Sequence, residues 1–373
     1  MIYVILTYLF SPLIYLLIAI RKKKAISRIL IIQTAKIGDL ICSTPIFREV
    51  KKKHPNTQLT VMINPITKEL LDNNPHVDKV ITIENKGYKG FSGKLRLSNL
   101  IRRGNYDIAV CLIPNVPFAL SLFWGLVPIR LCVMPNFSGL TFRLASVFFT
   151  DLEKHLSGRL ITETQMQLLK SIGIESNDIS KEVYKSDTAD AIAKQVLGET
   201  NKPLIGIAVS SGNKLKELGT GKIAELMDLL LDNLDAYLVL IGSSHDSNTA
   251  NMVLDLVSKK HRVINAIGRV SLSELPALIE RLSLFIGVDT GITYMADALS
   301  VPIIHLAGPI DTSEQCPIGE EVIIIQNKLP CVPCTYVFKA VYACRTNNRE
   351  CINSVPADEI YINAKKLLSH GAS

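Results

Sequence analysis

The sequence RILIIQTAKIGDL occupies residues 28–40 and joins an apolar run to a polar loop. The run at 28–32 has the length and the isoleucine content of a strand that is buried on both faces. Gly38 permits a tight turn after it, and an apolar helical pattern follows from Leu40 to Lys53. A strand, a loop and a helix in this order are the first half of a βαβ unit, so the stretch predicts a parallel sheet.

The same alternation of short apolar strands and helical stretches occurs on both sides of a polar segment in the middle of the chain. Further strands are predicted at 58–63, 79–83 and 107–113, and a second alternating block begins at 204. This pattern favours an α/β fold with two Rossmann-like halves. The predicted segments are a hydrophobic anchor helix with a basic flank (1–24), a first domain (25–180), a linker (181–203) and a second domain (204–373).

The beginning of the chain is unusually apolar. Residues 1–20 contain no charged side chain, and as a helix they would extend about 30 Å, the thickness of a hydrocarbon core. Residues 21–24 are four cations, which place the remainder of the chain on the cytoplasmic side of a membrane. The run lacks a basic start and a small-residue cleavage site, so it is a poor secretory signal. We expect a membrane anchor that spans once or lies in the interface, with a helix buried in the protein as the alternative.

The composition excludes several classes of protein. With 373 residues, 48% of them apolar and 20% charged, the chain is neither disordered nor a small disulfide scaffold. No second apolar run as long as the first occurs, which excludes a multi-span transporter. The net charge of +7 is clustered, and the stretch 86–103 contains six cations and no acid. Such a stretch suits an anionic surface, although it is also typical of a solvated face.

Asp39 falls at the start of a predicted helix, at the carboxyl edge of the sheet, where open α/β sheets bind ligands. An ordinary helix N-cap is the alternative for this residue. The loop is neither a G-x-G-x-x-G nor a Walker A sequence, so dinucleotide binding is unsupported.

Two loops of the second half are suited to phosphate. Ser210, Ser211 and Gly212 follow a strand, with Lys214 and Lys216 next, and such residues supply backbone N–H groups and ammonium donors. Farther along, Asp289, Thr290 and Gly291 join a strand to a helix whose N-terminus would face an anion. Gly308 and Pro309 end the next strand and are expected beside Asp289.

An Asp-Thr-Gly triplet is also found in aspartic proteases, which need two such carboxylates sharing a proton. This chain has one triplet, in a βα pattern, so a protease is excluded.

Four of the eight cysteines form a C-x2-C-x9-C-x6-C cluster near the C-terminus, at Cys331, Cys334, Cys344 and Cys351. Four thiolates could hold a structural zinc ion, and reduced thiols without a metal are the alternative.

Taken together, these segments resemble the ADP-heptose:lipopolysaccharide heptosyltransferases, glycosyltransferase family 9. The resemblance extends from about residue 26 to the C-terminus. The motifs that carry it are Arg28–Ile32, Ile37–Leu40, Thr44-Pro45, Lys216–Leu218, Ile223–Leu226, Gly287–Gly291, Gly308–Asp311 and Cys331–Cys334.

The resemblance implies a GT-B fold, with the acceptor on the first of two domains that face each other across a cleft and the nucleotide sugar on the second. It implies that Asp39 is the general base of an inverting transfer and that no cofactor or metal is required. The residues expected to bind the nucleotide-sugar donor, from the resemblance and from the loops described above, are Ser210, Ser211, Gly212, Lys216, Asp246, Asp289, Thr290, Gly291, Gly308 and Pro309. The residues expected to bind an anionic glycolipid acceptor are Lys36, Lys89, Lys94 and Arg96.

This sequence departs from the family pattern at two places. Tyr294 stands where many members have histidine, and Leu218 stands where an aromatic residue follows the lysine segment. Both departures bear on the identity of the donor.

The sequence thus predicts a bacterial glycosyltransferase of lipopolysaccharide biosynthesis, at the cytoplasmic face of the inner membrane, with ADP-heptose as donor and no nucleic-acid partner. The alternatives are a transferase that uses another nucleotide sugar for surface polysaccharide, and a non-catalytic membrane-tethered protein that binds nucleotide.

Overall fold

The computed structural model describes residues 2–21 and 25–370, which divide into two compact units, Met1–Ile179 and Ser180–Ser373. The strands are β1 (Arg28–Gln33), β2 (Gln58–Ile63), β3 (Lys79–Thr82), β4 (Ile108–Cys111), β5 (Ile129–Met134), β6 (Asp151–Lys154), β7 (Leu204–Ala208), β8 (Tyr237–Ile241), β9 (Val263–Asn265), β10 (Leu284–Val288), β11 (Ile303–Leu306) and β12 (Val322–Ile325). The helices are α1 (Ile2–Arg21), α2 (Ile37–Ile41), α3 (Thr44–Lys53), α4 (Gly90–Gly104), α5 (Val116–Trp124), α6 (Leu140–Ser146), α7 (Ile161–Leu169), α8 (Ala189–Leu197), α9 (Thr220–Asn233), α10 (Ser247–Leu256), α11 (Leu275–Ile279), α12 (Gly291–Ala298), α13 (Glu350–Asn353) and α14 (Ala357–His370).

The first unit is built on a six-stranded parallel sheet with the order β3-β2-β1-β4-β5-β6. Strand β1 pairs with β2 on one side and with β4 on the other, and its last five residues are buried. The chain order reverses between β1 and β4, so the loops that leave these two strands diverge and leave a crevice at the carboxyl edge.

The second unit repeats this plan with the order β12-β11-β10-β7-β8-β9, again with every pairing parallel. Here the order reverses between β7 and β10, and these neighbouring strands are both fully buried. The α/β fold with two Rossmann-like halves is therefore confirmed.

The helix predicted from Leu40 to Lys53 is divided into α2 and α3, which separate at Cys42 and Ser43. Pro45 lies in the first turn of α3, where its missing N–H is tolerated. In the interior of a continuous helix it would remove a hydrogen bond and clash with the preceding turn, so a new helix begins at this position.

The segment 181–203, predicted as a linker, is packed within the second unit. It contains α8, which packs against α11 through an apolar stripe at Ala189, Ala193, Val196 and Leu197. Lys181 is almost fully buried and pairs with Asp297 at 2.6 Å. The apolar residues of the stripe have helical spacing, which predicts a packed helix. The polar composition of the segment as a whole led instead to the prediction of a linker.

The N-terminal helix α1 packs against α5 and α6 of the first unit. Of the described residues, it is the one helix long and apolar enough to cross a membrane by length and composition. Its buried residues are Val4, Thr7, Ile14 and Ile18, and most of its other side chains are exposed.

Candidate active site

Asp39 lies in α2, directly after the loop that leaves β1 at the switch point of the first sheet. Its carboxylate accepts a hydrogen bond from the backbone N–H of Lys36 at 3.2 Å, which closes the first turn of the helix. The side chain is half-buried. Lys36 is the N-cap of α2 and Asp39 is its third residue, so the alternative of an Asp N-cap is wrong, although the carboxylate does bond back to the N-cap N–H. The residue occupies a position where ligands bind in such folds.

Gln33, at the end of β1, holds this turn from beneath and was missed from the sequence. Its side-chain amide donates to the hydroxyl of Ser43 at 2.7 Å and to the carbonyl of Asp39 at 3.3 Å. The Ser43 hydroxyl also donates to the Asp39 carbonyl, at 2.8 Å. These bonds fix the backbone of the turn from the buried side.

The four predicted acceptor residues lie on two segments of the first unit. Lys36 is exposed in the loop after β1, and Lys89 is exposed at the N-terminus of α4. Between these segments, the hydroxyl of the buried Tyr88 is hydrogen-bonded to Thr34, although burial raises the pKa of this tyrosine overall.

Lys94 and Arg96 lie farther along α4 than Lys89. The ammonium of Lys94 is 4.6 Å from the ring centroid of Tyr3 and donates to the carbonyl of Gly90 at 3.2 Å. Lys94 is thus directed towards the N-terminal helix, whereas Lys36 and Lys89 are at the carboxyl edge.

In the second unit, the loops after β7 and β10 meet at the switch point. Strands β7 and β10 are direct neighbours, and the hydroxyl of Ser211 donates to the carbonyl of Asp289 at 3.1 Å. The backbone N–H of Ser211 is bonded to Glu217 at 3.3 Å. Ser210 and Gly212 flank this contact. The structure therefore brings together the two loops that the sequence selected for phosphate.

The carboxylate of Asp289 is held by two side chains. The Lys216 ammonium donates to Oδ2, and the hydroxyl of Tyr294 donates to Oδ1 at 2.5 Å. Burial opposes ionisation of Asp289, but the Lys216 ammonium and the Tyr294 hydrogen bond outweigh it, and the pKa of Asp289 lies below its usual value. Lys216 is thereby fixed at the loop with a defined orientation.

Tyr294 was noticed in the sequence only as a departure from the family pattern. It lies on α12, is buried, and joins this helix to the carboxylate at the end of β10. The sequence contained a signal for this contact, because Tyr294 is three residues after Gly291, the first residue of α12, and side chains three apart lie on the same side of a helix.

Thr290 and Gly291 form the beginning of α12, with Thr290 at the N-cap and Gly291 as the first helical residue. The first N–H groups of this helix are directed to the carboxyl edge of the sheet, where they favour an anion. The Thr293 hydroxyl donates to the carbonyl of Val288 at 2.6 Å and secures the turn.

His305 lies on β11 beside β10, with its ring fully buried. Among the described residues, neither of its ring nitrogens has a hydrogen-bond partner. Burial lowers its pKa to about 4 and outweighs the opposite influence of Asp289. His305 is therefore an uncharged imidazole at neutral pH, close to the Asp289 carboxylate.

Gly308 and Pro309 follow β11, as expected. Gly308 has a φ of +56°, a left-handed conformation that glycine adopts without strain. The carbonyl of Pro309 accepts hydrogen bonds from the N–H groups of Cys334 at 3.0 Å and Thr335 at 3.1 Å. This loop is thus attached to the cysteine-rich segment.

Asp246 follows β8 at the N-terminus of α10. One carboxylate oxygen accepts bonds from the N–H and the hydroxyl of Ser243, both at 2.8 Å. Strand β8 pairs with β7, so Asp246 lies at the same edge of the sheet as the Ser211 loop.

The four clustered cysteines line one pocket, together with Leu215 and Pro309. In the part of the chain that the structure describes, no three His, Cys, Asp or Glu side chains are placed to hold a metal ion. The described side chains therefore do not form the tetrahedral zinc site that the cysteine spacing suggested. Hydrogen bonds from Thr346 and neighbouring N–H groups lower the pKa of Cys344 to about 7.

Residues 95–341 match the sequence profile of glycosyltransferase family 9 (heptosyltransferase). The chain belongs to this family. Lipopolysaccharide heptosyltransferase 3 of Escherichia coli K12 is 22% identical over 348 residues, which cover 90% of this chain and 96% of the relative.

Two solved structures have the same fold. The E. coli ADP-heptose lipopolysaccharide heptosyltransferase II is 18% identical with a TM-score of 0.73, over 93% of this chain and all of that one. A family 9 glycosyltransferase from Veillonella parvula is 22% identical with a TM-score of 0.74, over 92% of this chain and 98% of that one.

Membership of family 9 makes the protein a glycosyl-transferring enzyme and confirms the predicted GT-B fold class. This result disfavours the non-catalytic nucleotide-binding alternative. It leaves the sugar, the acceptor and the role of each site residue to be argued from the geometry.

Proposed function

We propose that the enzyme transfers heptose from ADP-heptose to a lipopolysaccharide-type core acceptor, with inversion at the anomeric carbon and without a metal. The observation that carries the proposal is the meeting of Lys216, Asp289 and the N-terminus of α12 at the switch point of the second sheet. The relatives named above, which act on lipopolysaccharide, support the choice of substrates.

The leaving group of such a reaction is a nucleoside diphosphate, which needs fixed positive potential. Lys216 supplies an ammonium that is already oriented by Asp289, and α12 supplies N–H groups and the positive end of its dipole. Asp289 is itself an anion, so it is better placed to orient Lys216 than to touch phosphate. Ser210, Ser211, Gly212, Gly308 and Pro309 would form the walls of this donor site, and Asp246 would contact the ribose.

The acceptor hydroxyl needs a base in the first unit. Asp39 would accept its proton while the hydroxyl oxygen bonds to the anomeric carbon, and the bond from that carbon to the diphosphate oxygen breaks. Gln33 and Ser43 hold the turn that carries Asp39, which keeps the carboxylate in place. Lys36, Lys89, Lys94 and Arg96 would bind the anionic acceptor at the cytoplasmic face of the inner membrane.

The second candidate is the transfer of another nucleotide sugar into surface polysaccharide. Tyr294 and the buried Leu218 support this candidate, since both differ from the residues that the family pattern has near the donor.

Calorimetric titration with ADP, GDP and UDP separates these candidates. We expect selective binding of ADP, followed by release of ADP when ADP-heptose and a heptose-deficient lipopolysaccharide core are supplied together. Preference for GDP or UDP would move the function to another sugar, and binding of none of the three would contradict the donor site.

A further inference from the structure

Helix α1 is attached to the first unit along one narrow seam. Its buried residues Val4, Thr7, Ile14 and Ile18 are separated by 3, 7 and 4 residues, which are one or two helical turns, and they therefore share one side of the helix. The opposite side is apolar and exposed. This side is called the outer face here, and its residues are Ile2, Ile5, Leu9, Leu13, Leu16 and Ile20.

Contacts hold α1 to the unit near both of its ends. Near the N-terminus, the Tyr8 hydroxyl donates to the carbonyl of Leu144 at 2.8 Å, and the Trp124 indole donates to Thr7 at 2.9 Å. At the C-terminus, the Arg21 guanidinium donates to the carbonyls of Gly125 at 3.0 Å and Leu126 at 3.2 Å. The whole length of the helix therefore lies along the surface of the unit.

This attachment decides between a spanning and an interfacial helix. If α1 crossed a bilayer in this arrangement, the parts of α4 and α5 beside it would enter the hydrocarbon as well. Helix α4 runs beside α1, with Phe91 against Tyr3 at one end and Asn105 bonded to Arg21 at the other. Arg96 lies between these ends as an exposed charge and would be costly to bury there. A helix that lies parallel to the membrane surface buries the outer face without that cost.

Further exposed apolar side chains lie on the segments that contact α1. Helix α6 contacts α1 and exposes Leu140 and Leu144, and Val147 is exposed directly after it. Phe91 of α4 stacks on the ring of Tyr3 with centroids 5.9 Å apart. Apolar patches of this extent on a soluble protein mark an interaction site.

The charge beside the patch identifies its partner. Six cations and no acid lie in 86–103, and Lys94 is already within 4.6 Å of the Tyr3 ring. Anionic headgroups at a bilayer surface would neutralise these cations, with each residue near the surface adding to binding. A second copy of the same surface would instead bring like charges together.

We propose that the outer face of α1, with the exposed apolar residues of α6, lies in the interface of an anionic bilayer with the helix axis parallel to the membrane. The inference deepens the proposed function, since it would hold the first unit at the surface where a lipid-linked acceptor resides. Its test uses no sugar or nucleotide, so its failure would leave the proposed transfer standing.

The first test is sedimentation with vesicles of phosphatidylethanolamine and phosphatidylglycerol. The variant carries Leu9→Glu, Leu13→Glu and Leu16→Glu, all at side chains more than half exposed. The matched control carries Met252→Glu, Leu256→Glu and Ile362→Glu in the second unit, which are exposed to a similar extent.

We expect the α1 variant to bind vesicles about tenfold or more weakly than the native protein, and the control to bind like the native protein. Equal binding by the α1 variant would overturn the proposal, as would a native dimer in vesicle-free solution that this variant dissociates.

The second test measures depth and does not depend on the folding of the triple variant. Trp124 is the one tryptophan of the chain, so Leu13→Trp in a Trp124→Phe background places a single reporter at the middle of α1. An interfacial helix predicts that lipids brominated close to the headgroup quench its fluorescence most strongly. Strongest quenching by lipids brominated near the chain ends would show a spanning helix and refute the proposal.

Discussion

The hydroxyl of Tyr294 donates a hydrogen bond to the carboxylate of Asp289 across the first turn of α12. The same carboxylate accepts from Lys216 through its other oxygen, so the tyrosine and the lysine hold it from two directions. Because the lysine is the cation proposed for the diphosphate, Tyr294 would influence the proposed donor site through the Asp289 carboxylate.

Tyr294→Phe removes this hydrogen bond and leaves the ring in place. We expect the affinity for ADP to fall about three- to tenfold, because one buried hydrogen bond contributes roughly 1 kcal/mol. The pKa of Asp289 should rise, since this bond stabilises its ionised form, and the acidic limb of the pH profile of kcat/KM should move to higher pH. An unchanged acidic limb and unchanged affinity would remove Tyr294 from the donor site.

Lys216→Met removes the ammonium and retains much of the side-chain length. We expect kcat/KM to fall by about 10²-fold or more, as when a donor to a developing negative charge is lost. Lys214→Met is the matched control, because Lys214 lies two residues earlier in the same loop with a side chain that is 84% exposed. Similar losses of kcat/KM in the two variants would mean that the loss of any positive charge from this loop lowers activity, and that Lys216 has no specific role.

Asp39→Ala tests the general base. We expect turnover to fall by about 10²-fold or more while the affinity for ADP is nearly retained, because the proposed donor site lies in the other unit. Asp151→Ala removes an exposed carboxylate from β6 of the same sheet and should leave turnover unchanged. Native turnover in the Asp39 variant would reject its assignment as the base.

The parallel sheets could be predicted because their strands are continuous apolar runs bounded by polar loops. The β1 strand and the Asp39 turn are local in sequence, so the position of Asp39 at the carboxyl edge followed from the pattern alone. The division of the helix at Pro45 and the packing of α8 were missed. Both depend on local sequence features, a proline in the first turn of a helix and a stripe of four apolar residues. The predictions followed the average composition of each segment and did not use these features.

The assembly of the proposed donor site could not be predicted in the same way. Ser211 and Asp289 are 78 positions apart, and their contact depends on β10 pairing directly with β7. Strand order is a property of the whole sheet, so the sequence of neither loop indicates that β7 and β10 are neighbours. The partners of Asp289 likewise depend on tertiary distance, so the sequence indicated an anion-binding helix but not the bonds from Lys216 and Tyr294.

His305 makes stability depend on pH. Its pKa is about 4 in the folded protein and about 6.5 when unfolded, so the unfolded chain binds more protons between these values. The free energy of unfolding should therefore decrease by about 3 kcal/mol from this group as the pH falls from 6.5 to 4. Denaturation of a His305→Leu variant should lack this decrease, whereas His261→Leu, at an exposed position, should keep it. Identical pH dependence in the native and His305→Leu proteins would contradict the burial of an uncharged imidazole.

Cys344 provides a test of the cysteine cluster that does not rely on activity. Its pKa of about 7 makes a substantial fraction of the thiol ionised at neutral pH, and the thiolate is the reactive form. Burial raises the pKa of Cys351 in the same pocket, so that thiol should react slowly. Mass spectrometry after brief alkylation with iodoacetamide should therefore find Cys344 modified first and Cys351 late. A zinc site would give a different result.

If the four cysteines held zinc, all of them would be protected together until a chelator was added, and the purified protein would contain close to one equivalent of the metal. Protection of all four would show that they form the tetrahedral zinc site, whereas early modification of Cys344 alone would support four reduced thiols.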